Sequence, residues 1–348
     1  MTLARHLGAA LLVAVVLLVL TLRLGPFRDY QIAEVAAYVT AVAGLTYLIG
    51  LSGQISVGHG AFMAVGAYAA ALLLIHLHWP LELVFAASAL AGAAAGGIIG
   101  VAAARLRGPY LAGATLMLAV ALPSIADKYA GVFGGDQGLT VAISTPAWLG
   151  AAFPPTRWLA WITCAAALIT LVLLANLGRG RTGRDWRALR DNEIAAALSG
   201  LNVARMRVLA FVVSSACAGL GGALLAVVTN IASPGAFTLA LSISVLTAAI
   251  LGGLGSLAGA VWGSLVLVFV PTYVTDVATS HGLSSGASSN VPIAAYGVVL
   301  IAVMLLFPSG IQGGLRRLLG PVAPAASGPF NVLRRRGPAS DKQEEGTT

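Results

Sequence analysis

Charge is what this sequence has least of. Only 9% of its 348 residues are Asp, Glu, Lys or Arg, against 58% hydrophobic, where a soluble domain carries nearer a quarter charged. With a mean hydropathy of +0.91, that scarcity excludes an ordinary water-soluble enzyme. Cysteine is scarce too. The two present, Cys164 and Cys217, both sit in apolar runs and read as small buried hydrophobes, which excludes a disulfide framework or a cysteine-rich metal site. No Gly-Lys-Ser/Thr phosphate loop occurs anywhere, so any use of ATP must fall to another subunit. No Ser-His-Asp set, paired carboxylates or metal-ligand spacing calls for a membrane enzyme. Within the apolar runs there is little charge beyond Glu34 and Glu82 near their ends. That weakens the case for an ion-coupled carrier, which often buries ionisable groups in its bundle.

What the sequence does have is long apolar stretches. A helix needs about 20 apolar residues to cross a bilayer, and helices satisfy their own backbone there. Candidate spans are 7–25, 32–50, 60–77, 81–104, 110–126, 158–177, 208–229 and 291–307. The first follows Arg5 and His6 and lacks a small-x-small site after it, so it reads as an uncleaved helix rather than a signal peptide. Pro80, Pro109 and Pro292 fall at helix starts, Pro271 and Pro308 at ends, and Gly178 is a C-cap candidate.

Basic residues set the topology. Arg105 and Arg107 follow the fourth span. The loop 178–207 holds Arg179, Arg181, Arg184, Arg187, Arg190, Arg205 and Arg207 against Asp185, Asp191 and Glu193. The tail from Arg316 is also net basic, whereas 127–157 and 271–290 are not. The positive regions are expected inside and the others outside. This clustering in short loops, rather than nucleic-acid binding, accounts for the net charge of +8. Parity then decides the apolar stretch 241–270. Arg207 and Arg316 lie on one side, so an even number of crossings separates them. The stretch must split near Gly252-Gly253-Leu254-Gly255-Ser256, a broken element of the kind that builds polar routes. The expectation is an all-α, polytopic transmembrane bundle of about ten crossings with both termini cytoplasmic. Residues 1–320 form the transmembrane domain, and 321–348 a Pro-, Ala- and Arg-rich disordered tail whose Arg334–Arg336 patch can meet anionic lipid.

Three segments stand out. Ser52, Gln54, Ser56 and His59 lie among glycines between two spans. They form either an ordinary turn or a polar segment lining a solute route. Gly252, Gly253, Gly255 and Ser256, with Gly259 and Gly263, either break the helix or supply a small-residue packing face. In the basic loop, Thr182 and Asp185 fit a capping box, and Asp191 could cap a second short helix. Ile194, Leu198 and Leu201 make an apolar stripe on that helix and Gly200 ends it. The stripe suits either a partner protein or the membrane surface.

Taken together, these residues resemble the LivM-like permeases of bacterial branched-chain amino acid ABC importers. The similarity runs from about residue 30 to 318. It rests on Leu51-Ser52-Gly53-Gln54-Ile55-Ser56-Val57-Gly58-His59-Gly60, on Arg105-Leu106-Arg107-Gly108-Pro109-Tyr110-Leu111, and on Gly134-Gly135-Asp136-Gln137-Gly138. It continues through Arg181-Thr182-Gly183-Arg184-Asp185-Trp186 to Ala196, the glycine break and Phe307-Pro308-Ser309-Gly310. Pro109 stands where many members have an acid, and Asp136-Gln137 depart from a commoner Pro-Asn or Ser-Asn. The resemblance implies that Asp191, Asn192, Glu193, Ile194, Ala195, Ala196 and Gly200 belong to the helix that couples to an ATPase. It also implies a homologous second permease, two cytoplasmic ATPases that hold the ATP and Mg, an extracytoplasmic solute-binding protein and a bacterial inner-membrane location. No cofactor is expected on this chain. Related permeases serve urea and short-chain amides, so the solute follows less directly than the class.

Overall fold

The computed structural model describes residues 2–105, 109–141, 143, 145, 153–280, 297–298, 300–307 and 309–319. The helices are α1 (Thr2–Arg23), α2 (Pro26–Ser52), α3 (His59–Leu72, prolonged by a π-turn to Leu77), α4 (Leu81–Arg105), α5 (Pro109–Lys128), α6 (Ala130–Phe133) and α7 (Pro155–Arg179). They continue with α8 (Arg181–Asp191), α9 (Glu193–Leu198), α10 (Val203–Thr229), α11 (Leu239–Gly252), α12 (Leu257–Ser280) and α13 (Gly310–Leu319). Eight helices among the described residues are long and apolar enough to cross a membrane. The expected count of about ten adds α1, with its shorter apolar run Ala10–Arg23, and a span at 291–307 that lies partly outside the described residues. Residues 1–314 form one compact unit. The expected boundary at 320/321 and the tail beyond it also lie outside the described residues.

In lipid, apolar side chains gain little by leaving one apolar medium for another, so close packing of small residues holds helices together. α10 shows this directly. It packs against α2, α3 and α4, and buries Ser214, Ser215, Gly219, Gly221 and Gly222. On α4 the buried stripe is Ser88, Gly92, Gly96 and Gly100, all on one face at a spacing of four. A Cβ at Gly92 would lie 2.4 Å from the Ser215 carbonyl, and one at Gly96 2.2 Å from Ser215 Oγ. From α3, a Cβ at Gly66 would lie 1.9 Å from the carbonyl of Gly219, the residue that also meets Gly92 of α4. Backbone therefore rests on backbone along most of α10.

The break near 252–256 is present: α11 stops at Gly252 and α12 begins at Leu257. Four details differ from the sequence reading. Pro271 lies inside α12, where it was expected at a helix end; a proline is tolerated within a membrane helix, and Thr275 Oγ donates to the Pro271 carbonyl one turn on. α7 runs past Gly178 to Arg179 and is capped by Gly180. Gly178 instead faces Tyr47, whose hydroxyl would be 2.6 Å from an added Cβ. The capping box does not form, because a single extended residue, Gly180, separates α7 from α8 and puts Thr182 inside the helix. The corner is that tight because Gly183 sits on the Gly178 carbonyl, 2.1 Å from an added Cβ. Finally, Asn192 rather than Asp191 caps α9, its Oδ1 accepting from the Ala195 N–H at 3.0 Å.

At the bundle end opposite α8 and α9, Leu139 and Thr140 pair antiparallel with Ala232 and Ile231. The glycines of 134–138 turn the chain into this pairing, with Gly134, Gly135 and Gly138 all at positive φ. Nearby in sequence to the start of α2, Asp29 is fully buried, with the Arg157 guanidinium 3.5 Å away.

Candidate functional site

α2 ends in a C-cap built on Gly53, at φ 72°, a value a side chain resists. The Gly53 N–H returns to the Ile49 carbonyl, the bond of an αL cap, and the Gln54 N–H to the Leu48 carbonyl. The chain then runs without helix from 53 to 58 before α3 starts at His59. This link and the last turn of α2 are where the other two segments arrive.

The α8–α9 corner arrives from one side. Trp186 fixes α8 from beneath: it is 1% exposed, and its indole N–H donates 3.0 Å to the Met206 carbonyl. Arg190 then lies along α2. Its Nη1 donates to the Gly50 carbonyl, its stem runs beneath Gly53 (2.9 Å from an added Cβ to Cγ), and its Nε and Nη2 reach Asp191 Oδ1 at 3.2 and 3.0 Å. The Asp191 pair is exposed and adds little on its own. The bond to Gly50 is partly buried and charge-assisted, the stronger kind. One residue beyond the Asn192 cap, Glu193 Oε2 meets Arg207 Nη2 of α10 at 2.7 Å, with the two side chains only 30% and 13% exposed.

The glycine break arrives from the other side. A Cβ on Gly50 would lie 2.1 Å from the Gly255 nitrogen, and the Gly255 N–H donates 3.2 Å to the Thr46 carbonyl. Gly255 is in the break, at φ 79°, and not on the α12 face. Gly259 and Gly263 are on that face, against the backbone of Gly252 and Ala248. Ser256 caps α12, its Oγ accepting from the Gly259 N–H at 3.2 Å. Gly253, at φ 113°, faces the Ser309 carbonyl. Gly50 is thus the point where α8–α9 and the α11–α12 break touch the same turn of α2.

The four polar residues of the 52–59 link separate into two pairs. Ser52 and Gln54 line a cleft of about 250 Å³ with Ile55, Arg190, Glu193 and Arg207. Ser52 Oγ donates to the Leu48 carbonyl at 2.6 Å, and Gln54 Nε2 reaches Ser52 Oγ and the Arg207 carbonyl at 3.0 and 3.3 Å. Ser56 and His59 are fully buried and do not border this cleft. Neither makes a side-chain hydrogen bond of standard geometry, and the His59 ring stands edge-on to Phe62 at 6.1 Å. Around them the link is sewn in by backbone donors: Val57 N–H to Thr115 Oγ at 3.0 Å and Gly60 N–H to Ser242 Oγ at 3.1 Å.

On α9, Ala196 is buried, while Ile194 and Leu198 are 74% and 84% exposed. Gly200, at φ 89°, closes the helix, and the Leu201 N–H returns to the Ala196 carbonyl. Ile194 and Leu198 therefore point away from the chain's own bundle, whereas Leu201, expected on the same stripe, lies beyond the end of α9 and is half-buried.

Sequence reasoning passed over two features. The Asp29–Arg157 pair was hidden because Arg157 was counted in a loop and Asp29 lay before the apolar run. The α4 stripe was legible as Gly92, Gly96 and Gly100 in an Ala-rich stretch.

A helical bundle with this many membrane-length helices, two interrupted elements and an outward-facing amphipathic corner gathered at one end is a polytopic membrane protein. The chain belongs to the family described as branched-chain amino acid transport system / permease component, whose model matches residues 28–308. It is 32% identical over 254 residues to the high-affinity branched-chain amino acid transport permease LivM of Escherichia coli, covering 66% of this chain and 60% of that protein. It is 28% identical over 295 residues to LivH of Salmonella typhimurium, covering 80% and 92%, and 34% identical over 146 residues to BraD of Pseudomonas aeruginosa, covering 42% and 44%. The match thus spans less than two thirds of the LivM relatives' length. No solved structure matches.

Proposed function

We propose that the chain is one of the membrane-spanning subunits of an ATP-driven importer for leucine, isoleucine and valine in a bacterial inner membrane. A homologous permease completes the pathway, two cytoplasmic ATPases bind the ATP and Mg, and an extracytoplasmic binding protein delivers the solute. α9 and its flanks, Asp191 to Ala196 with Gly200, dock on an ATPase. Ile194 and Leu198 enter its groove, while Arg190 and Glu193 tie the corner back to α2 and α10. ATPase motion then reaches the 52–59 link and the α11–α12 break through Gly50. Ser52 and Gln54 border the route; Ser56 and His59 shape its support.

The observation that carries this reading is the outward apolar face of α9 on a corner held by Arg190 to Gly50. A corner so fastened moves the bundle when it moves. The test is ATP hydrolysis by the reconstituted complex with binding protein and leucine, isoleucine, valine, urea or acetamide. Stimulation by the branched-chain amino acids supports the reading. Stimulation by urea or acetamide alone replaces the solute and keeps the machine. Transport by the purified chain without ATPases overturns it.

A further inference from the structure

A groove of about 360 Å³ runs between α1 and α12, with α2 and α7 as its other walls. Arg28, at one end, is the only lining residue among those described that is not apolar. Trp161 Nε1 of α7 donates 3.0 Å to Thr21 Oγ1 and pins α1 on that helix. α1 makes no comparable packing with α12, so the space between them stays open, and Val13 and Leu20 on its rim are 43% and 44% exposed. An unfilled groove forfeits dispersion contacts along its lining, and in a bilayer the matching filler is an acyl chain. Along α2 the lining runs from Arg28 to Val39. That is roughly 16 Å of helix at ~1.5 Å per residue, close to half of the ~30 Å hydrocarbon core, the depth of one leaflet.

The polar end sets the headgroup. Arg28 Nη1 donates 3.0 Å to Gln31 Oε1. That bond leaves most of the five guanidinium donors uncommitted among the described residues, and none of their carboxylates lies within 4.0 Å of Arg28. A guanidinium at the mouth of an apolar groove suits a phosphate diester, which it grips through two parallel bonds. A second cavity, of about 470 Å³, continues past Arg28 and Phe269 and is bordered by Gln31, Tyr273 and Asp276. Asp276 disfavours a further negative charge in that space and favours an ammonium.

We propose that this groove is a binding site for phosphatidylethanolamine, in the leaflet away from the α8–α9 corner. One acyl chain fills the space between α1 and α12, the phosphate sits on the Arg28 guanidinium, and the ammonium faces Asp276. The lipid joins α1 to α12, the helix that begins at the glycine break.

The experiment is native mass spectrometry of the full-length chain, purified in mild detergent, stripped of lipid and titrated with three lipids. These are dioleoyl-phosphatidylethanolamine, dioleoyl-phosphatidylglycerol, which lacks the ammonium, and diolein, which lacks the phosphate. One phosphatidylethanolamine is expected to bind per chain, about tenfold or more tighter than either of the others. Arg28→Met should weaken it by about tenfold or more, the equivalent of one lost charge-assisted bond, and Arg28→Lys should recover part. Arg23→Met removes an exposed charge that does not border the groove and should leave binding unchanged. Leu20→Trp fills the groove from its exposed rim and should abolish the site without lowering the melting temperature of the lipid-free chain. Equal binding of the three lipids, an equal loss in Arg23→Met, or binding indifferent to Leu20→Trp would each overturn the proposal. So would displacement of the lipid when a second permease assembles, which gives the groove to that subunit. A disulfide between Cys164, which lines the groove, and Val298→Cys would also overturn it, by giving the groove to the chain's own segment.

Discussion

The Arg190 guanidinium and the Gly50 carbonyl, 140 residues apart in the chain, share a hydrogen bond that fastens the α8–α9 corner to the last turn of α2. The opposite side of that same glycine carries the backbone of Gly255. A displacement of the corner is delivered to one turn of α2 and, through it, to the α11–α12 break. Each end of this chain of contacts can be cut separately.

Arg190→Met keeps the apolar stem under Gly53 and removes the donors. Bonds to charged groups contribute about 1.5–3 kcal/mol net when well formed, and this one is partly exposed. Solute-stimulated ATP hydrolysis is expected to fall about tenfold with the complex still assembled. Arg190→Lys, with one charge and no fork, should restore part of it. Undiminished stimulation in Arg190→Met would remove the linkage.

Gly50→Ala places a methyl where the Gly255 nitrogen stands, 2.1 Å away. Overpacking of this kind costs about 1–3 kcal/mol, so the melting temperature of the purified chain should drop and transport should fail. Gly113→Ala, where an added Cβ meets nothing within 4 Å, should be neutral or slightly stabilising. Equal melting of the two variants would contradict the close contact.

Asn192→Ala removes the cap of α9 at a cost of about 1 kcal/mol, a large share for a helix of six residues. Stimulated hydrolysis should fall, and Asn192→Asp, an equally good cap, should recover it. Hydrogen exchange at the Ala195 amide measures the local loss directly.

Glu193 and Arg207 are expected to behave as a pair. Each single alanine variant should impair coupling, and the double variant should cost less than the sum, with an interaction energy of about 0.5–3 kcal/mol in a double-mutant cycle. Strict additivity in both stability and stimulated hydrolysis would show that the 2.7 Å contact has no functional weight.

Ile194→Ser with Leu198→Ser alters two of the most exposed apolar side chains in the molecule. Stability of the isolated chain should not change. Affinity for the ATPase subunits should weaken by tenfold or more, at about 1–2 kcal/mol per buried anchor. Retained assembly would reassign that face to the lipid surface.

The glycine break shows how far the sequence alone reaches. Parity of the basic loops required two crossings between Arg207 and Arg316 beyond those plainly visible, and only 252–256 could divide the remaining run. Helix starts at Pro80 and Pro109 were equally legible, because proline needs no donor there. The α8–α9 caps were not. Thr182 and Asp185 have the right spacing for a capping box, but the Gly178–Gly183 approach turns the chain one residue earlier. That contact between two helices overrides the local signal.

What the sequence determined by itself was the solvent: a chain this poor in charge, with apolar runs of about 20 residues, satisfies its backbone in lipid as helices, and its arginines state which ends share a side. The tertiary structure decided which helices touch. Within a bilayer the apolar face no longer marks the buried face, so hydrophobic periodicity loses its meaning, and packing depends on where two backbones come close enough to exclude a methyl group. Gly50 on Gly255, Gly92 on Ser215 and Gly66 on Gly219 are relations between distant segments. No window of sequence contains both partners of any of them.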